Sequence, residues 1–497
     1  MTIERSGMVL LAALALLSAP ARAETVPACQ TGRLRCGASK VVPVHAPPGT
    51  EAASAPAAGL GAADIAAAYN VDTTRVSQVT VAVVAAFGYP AVESDLAVYR
   101  TQYNLPACTV ASGCLTVLNQ NGLTTPLPVA PPKSDDWTVQ SALSLDMVSA
   151  TCPSCKLLLI EANTDSDDGL LTVQAVAAHA GATVFVNNWG AAEDSTAPAL
   201  DADFDLPGVS NFVSAGFGYN DVIDNPSNAA PLFPATSEHV ITVSGTSLVK
   251  GVAGRGWTET ATKNSASGCS TQIALPAFQQ QAVTGCAKRA YSDIAAVGDP
   301  DTGVDIYNAG GGQWIVAGGG ASAVAAGIVA QSGRAGVGPA FFYANPTVLY
   351  DITSGTDGTC AGILCQAAAG WDGPSGNGSL NGGALAALPT ADAGVPDGGH
   401  AAGGAAGGAG AAAGGAGGAH AGGGEAGVSA GGAGGAAGAS AGGAAGGVAA
   451  GGASGTTKTS SSSGCGCTLT GREANFGGGI FVALALALTV RRRRRDR

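Results

Sequence analysis

"VTVAVVAAFGYPAVESDLAVYRTQY", residues 79–103, changes its period halfway along. Residues 79–86 form an unbroken run of β-branched and small apolar side chains, the pattern of a strand buried on both faces. Residues 93–103 then space their apolar side chains as a helix does. The same alternation continues downstream. "KLLLIEA" (156–162) and "TVFVNNW" (183–189) read as strands with "LLTVQAVAAHA" (170–180) as the helix between them, and "NFVSAG" (211–216) and "VITVSGT" (240–246) extend the series. Strands alternating with helices predict an α/β fold built on a parallel, doubly wound sheet. Loops at the carboxyl ends of such strands are the expected site, and "VNNWG" and "VSAGFGYN" both fall there.

The rest of the 497 residues divides around this unit. Residues 1–23 read as a signal peptide, with Arg5, an apolar run from Met8 to Leu17 and the cleavage pattern Ala21-Arg22-Ala23. Residues 24–56 are a short N-terminal segment. Residues 57–389 are the one stretch able to bury a large core, here as a single large domain. Residues 390–464 are mostly Gly and Ala without a G-X-Y period, which predicts a flexible spacer and not collagen. Residues 465–497 carry Cys465-Gly466-Cys467, an apolar run from Ile480 to Val490, and an arginine-rich end. That run is shorter than the ~20 residues of a comfortable spanning helix, and its arginines favour the cytoplasmic side of the inner membrane. The arrangement resembles the MYXO-CTERM sorting tails of exported bacterial proteins. That resemblance implies tail-processing or sorting machinery as a partner and the cell surface, or release from it, as the destination. A permanent weak anchor is the other reading.

The net charge is −12, and both terminal segments removed on export are basic, so the mature chain is more acidic still. Binding to nucleic acid or anionic lipid through general charge is excluded. Ten of the twelve cysteines form close pairs, Cys29/Cys36, Cys108/Cys114, Cys152/Cys155, Cys269/Cys286 and Cys360/Cys365. In an exported chain these read as loop-stapling disulfides. C-P-S-C at 152–155 is alternatively redox-active or half of a zinc site. Neither His179, late in a helix, nor His239, ahead of a strand, has the setting of a triad histidine.

Several stretches, taken together and in order, resemble the sedolisin family of serine-carboxyl peptidases. They are "AAAYNVDTT" (66–74), residues 81–108, "LSLDMVSATCPSCKLLLIEAN" (143–163), "NNWG" (187–190), "FPATSEHVITVSGTSL" (233–248), "YSDIAAVGDPDTGVDIY" (291–307), "GGGASAVAAGIVA" (318–330) and the region 350–379. The resemblance implies a subtilisin-like fold, one bound Ca²⁺, and chemistry by a serine with two helix carboxylates at i and i+4. A further aspartate helps hold the oxyanion.

Carried over residue by residue, the resemblance assigns Asp146 as the helix aspartate. The glutamate position falls on Ala142, or on Gln140 if two residues are inserted, and neither side chain accepts a proton there. The acid that ends the first strand is Ala85. The oxyanion aspartate falls on Gly216 or Phe217, with Asp221 nearby but offset. The nucleophile falls on Ser322 or on Ala321, and the proline that follows it in the family is absent in both alignments. The calcium ligands fall on the carboxylates of Asp351 and Asp372 and the carbonyls of Ile352, Ala368 and Gly370, an oxygen set that suits Ca²⁺. Residues 24–56 leave no room for the large inhibitory prodomain of many relatives.

Two functions follow. One is an exported protein that has lost peptidase chemistry and binds peptides or proteins in the cleft. The other is an acid-acting endopeptidase using Ser322 with acids relocated among Glu161, Glu193, Asp194 and Asp221.

Overall fold

In the computed structural model the described residues are 23–29, 33–43 and 59–389, apart from 217, 220–229, 253 and 312. Residues 1–22, the Gly/Ala spacer, the basic tail, Phe217 and Asp221 lie outside them. Among the described residues, no helix is long and apolar enough to cross a membrane.

The elements that position the site are, in chain order, β1 (Ala23–Pro27), β2 (Arg35–Cys36), β3 (Ser39–Pro43), α1 (Ala62–Ala68), β4 (Thr80–Ala86), α2 (Val92–Gln102), β5 (Leu115–Asn119), α3 (Trp137–Thr151), β6 (Lys156–Ala162), β7 (Val184–Asn187), β8 (Trp189–Ala192) and β9 (Ser210–Ser214). The large sheet runs β5, β6, β4, β7, β9, then the strands Ile241–Lys250 and Ile294–Val297. All these neighbours pair in parallel. β4 lies in the middle, with Val81 opposite both Leu157 and Val184. Val81 to Ala86 are all buried, as an unbroken apolar run requires.

Two expected elements are interrupted. The helix expected over 170–180 is split into Asp167–Leu170 and Val173–His179. At the break the Thr172 hydroxyl donates to the carbonyl of Asp168 (2.8 Å), a bond that competes with the helix ladder. The strand expected over 183–189 ends at Asn187, and the chain turns at Asn188 into β8, which leaves the sheet.

Helix α3 is buried along nearly its whole length. The helix Ala321–Gln331 packs directly on it, and glycine permits the approach. A Cβ at Gly327 would stand 1.9 Å from Thr151 Oγ1, and one at Gly320 would stand 3.0 Å from Leu143 Cδ1. All five local cysteine pairs are disulfides, including Cys152–Cys155. Arg289 and Asp293 form a fully buried ion pair at 2.6 Å.

The N-terminal segment folds onto the large domain. β1 and β3 form an antiparallel pair, and β3 continues into the strand Gln313–Gly318, with Ser39 opposite Gly318. β2 pairs with β8, with Arg35 opposite Gly190 and Cys36 opposite Trp189.

Candidate functional site

At i and i+4 on α3, Ala142 and Asp146 share one helix face. Both are buried, and Ala142 brings no polar group to it. Asp146 Oδ2 accepts the backbone N–H of Tyr307 at 3.0 Å. Burial pushes its carboxyl well above the ordinary range. That N–H and the Arg100 guanidinium oppose the rise, and Asp95 adds to it. Arg100 is itself held by Ser149 Oγ (2.8 Å) and by the carbonyls of Pro106 and Pro153 (2.6 Å each). Asp146 thus ties α3 to the strand Val304–Asn308. Gln140, the other candidate for the glutamate position, is buried and donates from Nε2 to Ser144 Oγ at 2.9 Å. Its Oε1 has no hydrogen-bond partner among the described residues.

Gly320 caps the helix Ala321–Gln331, so Ala321 is its first residue and Ser322 its second. Gly320 and Gly327 face α3. Ser322 lies about 200° round from Gly320 at 3.6 residues per turn, on the side away from α3. It is fully buried, and its Oγ has no partner among the described residues. Among the described residues no hydrogen bond joins it to Asp146. Ala321 is buried too, and its Cβ faces Gly298. Gly216 holds φ +95°, and a Cβ there would meet Leu232 Cδ1 at 2.1 Å, so the backbone at this position is built for glycine.

Of the other acids, the three that are described, Glu161, Glu193 and Asp194, accept bonds elsewhere. Glu193 accepts Ser270 Oγ (2.6 Å) and both the N–H and hydroxyl of Thr271 (2.7 and 2.8 Å). Asp194 accepts the N–H of Thr196 and pairs with Arg33 at 3.1 Å. Glu161, at the carboxyl end of β6 and opposite Ala85, accepts the N–H of Tyr89 at 2.7 Å. Its Oε2 has no partner among the described residues, and burial pushes its carboxyl up to about 7.

The carboxyl ends of the strands are covered. The Gly37 N–H donates to the carbonyl of Asn188 (2.8 Å), and the side-chain amide of Asn188 donates to the carbonyl of Gly319 (2.7 Å). Gly37 therefore crosses between the end of β7 and the start of the Ser322 helix. Asn188 lies in the "VNNWG" stretch expected at the site, whereas nothing in the sequence marks Gly37. The Cys29/Cys36 pair was the one available signal that this segment is structured.

The five positions expected to hold calcium lie in one loop cluster. Asp351 Oδ2 accepts the N–H of Gly370 (3.1 Å), and Asp372 Oδ2 accepts that of Ala368 (2.8 Å). Asp372 Oδ1 accepts both the N–H and hydroxyl of Ser375 (2.8 Å each), and the same hydroxyl reaches the carbonyl of Ile352 (3.5 Å). Burial pushes the Asp372 carboxyl up to about 6, and the charge of Asp351 adds to the rise. Two carboxylates close enough to repel, with the Ile352 carbonyl reached through the Ser375 hydroxyl, leave a charge that a hard divalent cation would relieve.

No family model matches the chain, and no curated protein does. Among solved structures it is similar to Pseudomonas sedolisin, a serine-carboxyl proteinase complexed with two molecules of pseudo-iodotyrostatin. The identity is 24%, over 67% of this chain and 98% of that one, with a TM-score of 0.55. A lanthipeptide protease matches at 14% identity over 65% of this chain and 92% of its own (TM-score 0.42). MycP1 from the ESX-1 type VII secretion system matches at 14% over 74% and 93% (TM-score 0.39). With the parallel sheet and its element order, the first of these places the described domain in the subtilisin-like α/β fold that sedolisin has.

Proposed function

We propose that this chain is an exported, surface-tethered protein of the sedolisin fold that has lost peptidase chemistry and acts by binding peptide or protein. The observation that carries this is Ser322. Its hydroxyl is buried without a partner among the described residues, and Ala142 stands where the resemblance puts the proton-accepting glutamate. Removal of a general base and of an oxyanion donor each lowers a rate by about 10²–10⁴. Calcium is a structural part of this proposal. Asp351 and Asp372 would hold it with the carbonyls of Ile352, Ala368 and Gly370, and it would supply cross-linking of the loop and not chemistry. The N-terminal signal, the spacer and the sorting tail support export and tethering.

A second reading, an endopeptidase active at low pH, draws on Glu161, whose raised carboxyl lies at a strand end. The deciding measurement is hydrolysis of denatured casein and a quenched peptide library by the mature chain in calcium, from about pH 3 to about pH 8, beside a Ser322→Ala control. No turnover by either protein supports the non-catalytic reading. Turnover lost in the control overturns it.

A further inference from the structure

A second group of charged side chains gathers away from the Ser322 helix. Asp201 opens the 3-10 turn Asp201–Phe204, and Glu238 and His239 lie just ahead of the strand Ile241–Lys250. That strand runs parallel to β9, so its start faces away from the carboxyl ends that Gly37 crosses. Packing holds the turn and the loop together. Phe204 is buried and meets Phe233 edge-on, with ring centroids 5.6 Å apart. Thr242 Oγ1 donates to the carbonyl of Ala235 (2.6 Å), and the His239 N–H donates to Ser237 Oγ (3.1 Å).

The donor atoms converge. One atom each from Asp201, Glu238 and His239 lies within 4.8 Å of the other two. Asp201 Oδ2 stands 3.7 Å from His239 Nε2, and Asp205 Oδ1 stands 3.6 Å from Nδ1 across the ring. Asp201 is 8% exposed, and its Oδ1 is buried with no hydrogen-bond partner among the described residues. A buried carboxylate oxygen in that state calls for an explanation, and an ion is one. Arg289, whose Nε donates to the carbonyl of Ser237, is already paired with Asp293. Glu238 and His239 are more open than Asp201, which leaves a path from solvent.

We propose that Asp201, Glu238 and His239 bind a divalent transition-metal ion of the Zn²⁺ class, with Asp205 orienting the imidazole. An imidazole with two carboxylates selects such an ion over Ca²⁺, which takes oxygen ligands. Ligand atoms of a tetrahedral zinc site, with bonds of about 2.0–2.2 Å, stand about 3.4 Å apart. Asp201 and His239 therefore need to close by only a few tenths of an ångström, and Glu238 swings in from the solvent side. Water takes the fourth position. A metal-bound histidine usually donates its other ring N–H to a carboxylate, and Asp205 is placed to accept it from Nδ1. The ion staples the turn before β9 to the loop before Ile241. The site shares no residue with the calcium positions, Asp146 or Ser322, so it stands whether or not the chain cleaves peptides.

The test uses the full mature chain carrying Cys465→Ser and Cys467→Ser, which removes the tail thiols as competing ligands. Calcium is kept in excess, so that the positions at 351–372 do not take up the probe. Zn²⁺ is titrated by calorimetry, and Co²⁺ is followed by its visible absorption. The tightest site should hold one Zn²⁺ per chain, excess calcium should not displace it, and Co²⁺ should give the intense bands of four-coordination. His239→Gln and Glu238→Gln should each remove that site. Both change side chains at the open edge of the cluster, and near-UV circular dichroism checks that the fold is kept. Asp205→Asn should keep the site and weaken it by about 10–100-fold. If a glutamine variant loses its fold, that weakening decides the matter. Zinc held by His400 or His420 persists in every variant and is told apart in this way. Absence of a one-to-one site, its survival unchanged in His239→Gln, or its displacement by calcium would each overturn the proposal. Unchanged affinity in Asp205→Asn would overturn the part given to Asp205.

Discussion

Glu161 gives a sharp test of how this sheet end is built. Burial raises its carboxyl from the ordinary 4.5 to about 7, against the opposing N–H of Tyr89. Below the unfolded value both states hold the proton, and the residue contributes nothing to pH dependence. Between about 4.5 and about 7 the unfolded chain loses its proton first, so stability falls as pH rises and the full penalty is present above about 7. A rise of this size corresponds to about 3 kcal/mol at about 1.4 kcal/mol per pH unit.

Glu161→Gln keeps an oxygen to accept from Tyr89 and removes the charge. It places an amide where Oε2 has no partner among the described residues. An unsatisfied buried donor costs about 1–3 kcal/mol at every pH. The absolute stabilities of the two proteins therefore do not decide the matter, and their difference does. Urea denaturation at a series of pH values should show Glu161→Gln gaining about 3 kcal/mol on the unaltered chain between about pH 4 and about pH 8. Asp357 and Asp372, raised to about 7 and about 6, steepen both curves equally and cancel in the difference. Parallel curves would refute the reasoning and show that Glu161 reaches solvent or a cation when ionised.

Ser322→Ala removes a buried hydroxyl without a partner among the described residues, and should raise stability by about 1 kcal/mol in denaturant melts. A loss of that size would mean the hydroxyl is bonded in solution. Calcium should raise the Tm of the mature chain and a chelator should lower it, while Asp372→Asn should make the Tm indifferent to both. The calcium effect should weaken below about pH 6, where protons compete for Asp372. Arg289→Met strands Asp293 in a fully buried site, and should cost about 3–5 kcal/mol by chemical denaturation. A change under about 1 kcal/mol would mean that water reaches the pair.

The scaffold was readable because it is written in local patterns. β4 and β6 follow from unbroken apolar runs, and the five disulfides from cysteines too close in sequence to have better partners. The breaks at Thr172 and Asn188 were not readable. The first turns on a single hydroxyl bonding back to Asp168, and the second on contacts with Gly37 and Gly319, both against a surrounding pattern that favours continuation. Asp146 could be placed on a buried helix face, but its bond to Tyr307 joins residues far apart in sequence. The largest omission was residues 33–39. Exposed and buried residues alternate only over 33–36, too short a run to distinguish from chance, and the partners that hold the segment to the large domain lie beyond residue 160.

Buried polar atoms without partners are few in folded proteins, and each calls for an explanation. Three lie at the Gly37 crossing. Ser39 faces Gly318 across the strand pair, Asn188 bonds Gly319 through its amide, and Ser322 follows three residues later. The Ser39 hydroxyl, the Asn188 carbonyl oxygen and the Ser322 hydroxyl are all buried without a partner among the described residues. Packing for stability alone would favour apolar side chains of the same size here, because each orphaned group costs about 1–3 kcal/mol. The common feature is a segment lying over what would otherwise be the open end of the sheet. With that segment withdrawn, Asn188 and Ser322 would lie nearer the opening, where water or an incoming peptide could meet them. These groups leave the crossing less fully bonded than the sheet it covers. Release of residues 33–39 should therefore raise hydrogen-exchange protection nowhere and lower it selectively at β8 and the first turn of the Ser322 helix. Loosening spread evenly through the sheet would mean that the segment is bonded as firmly as the core.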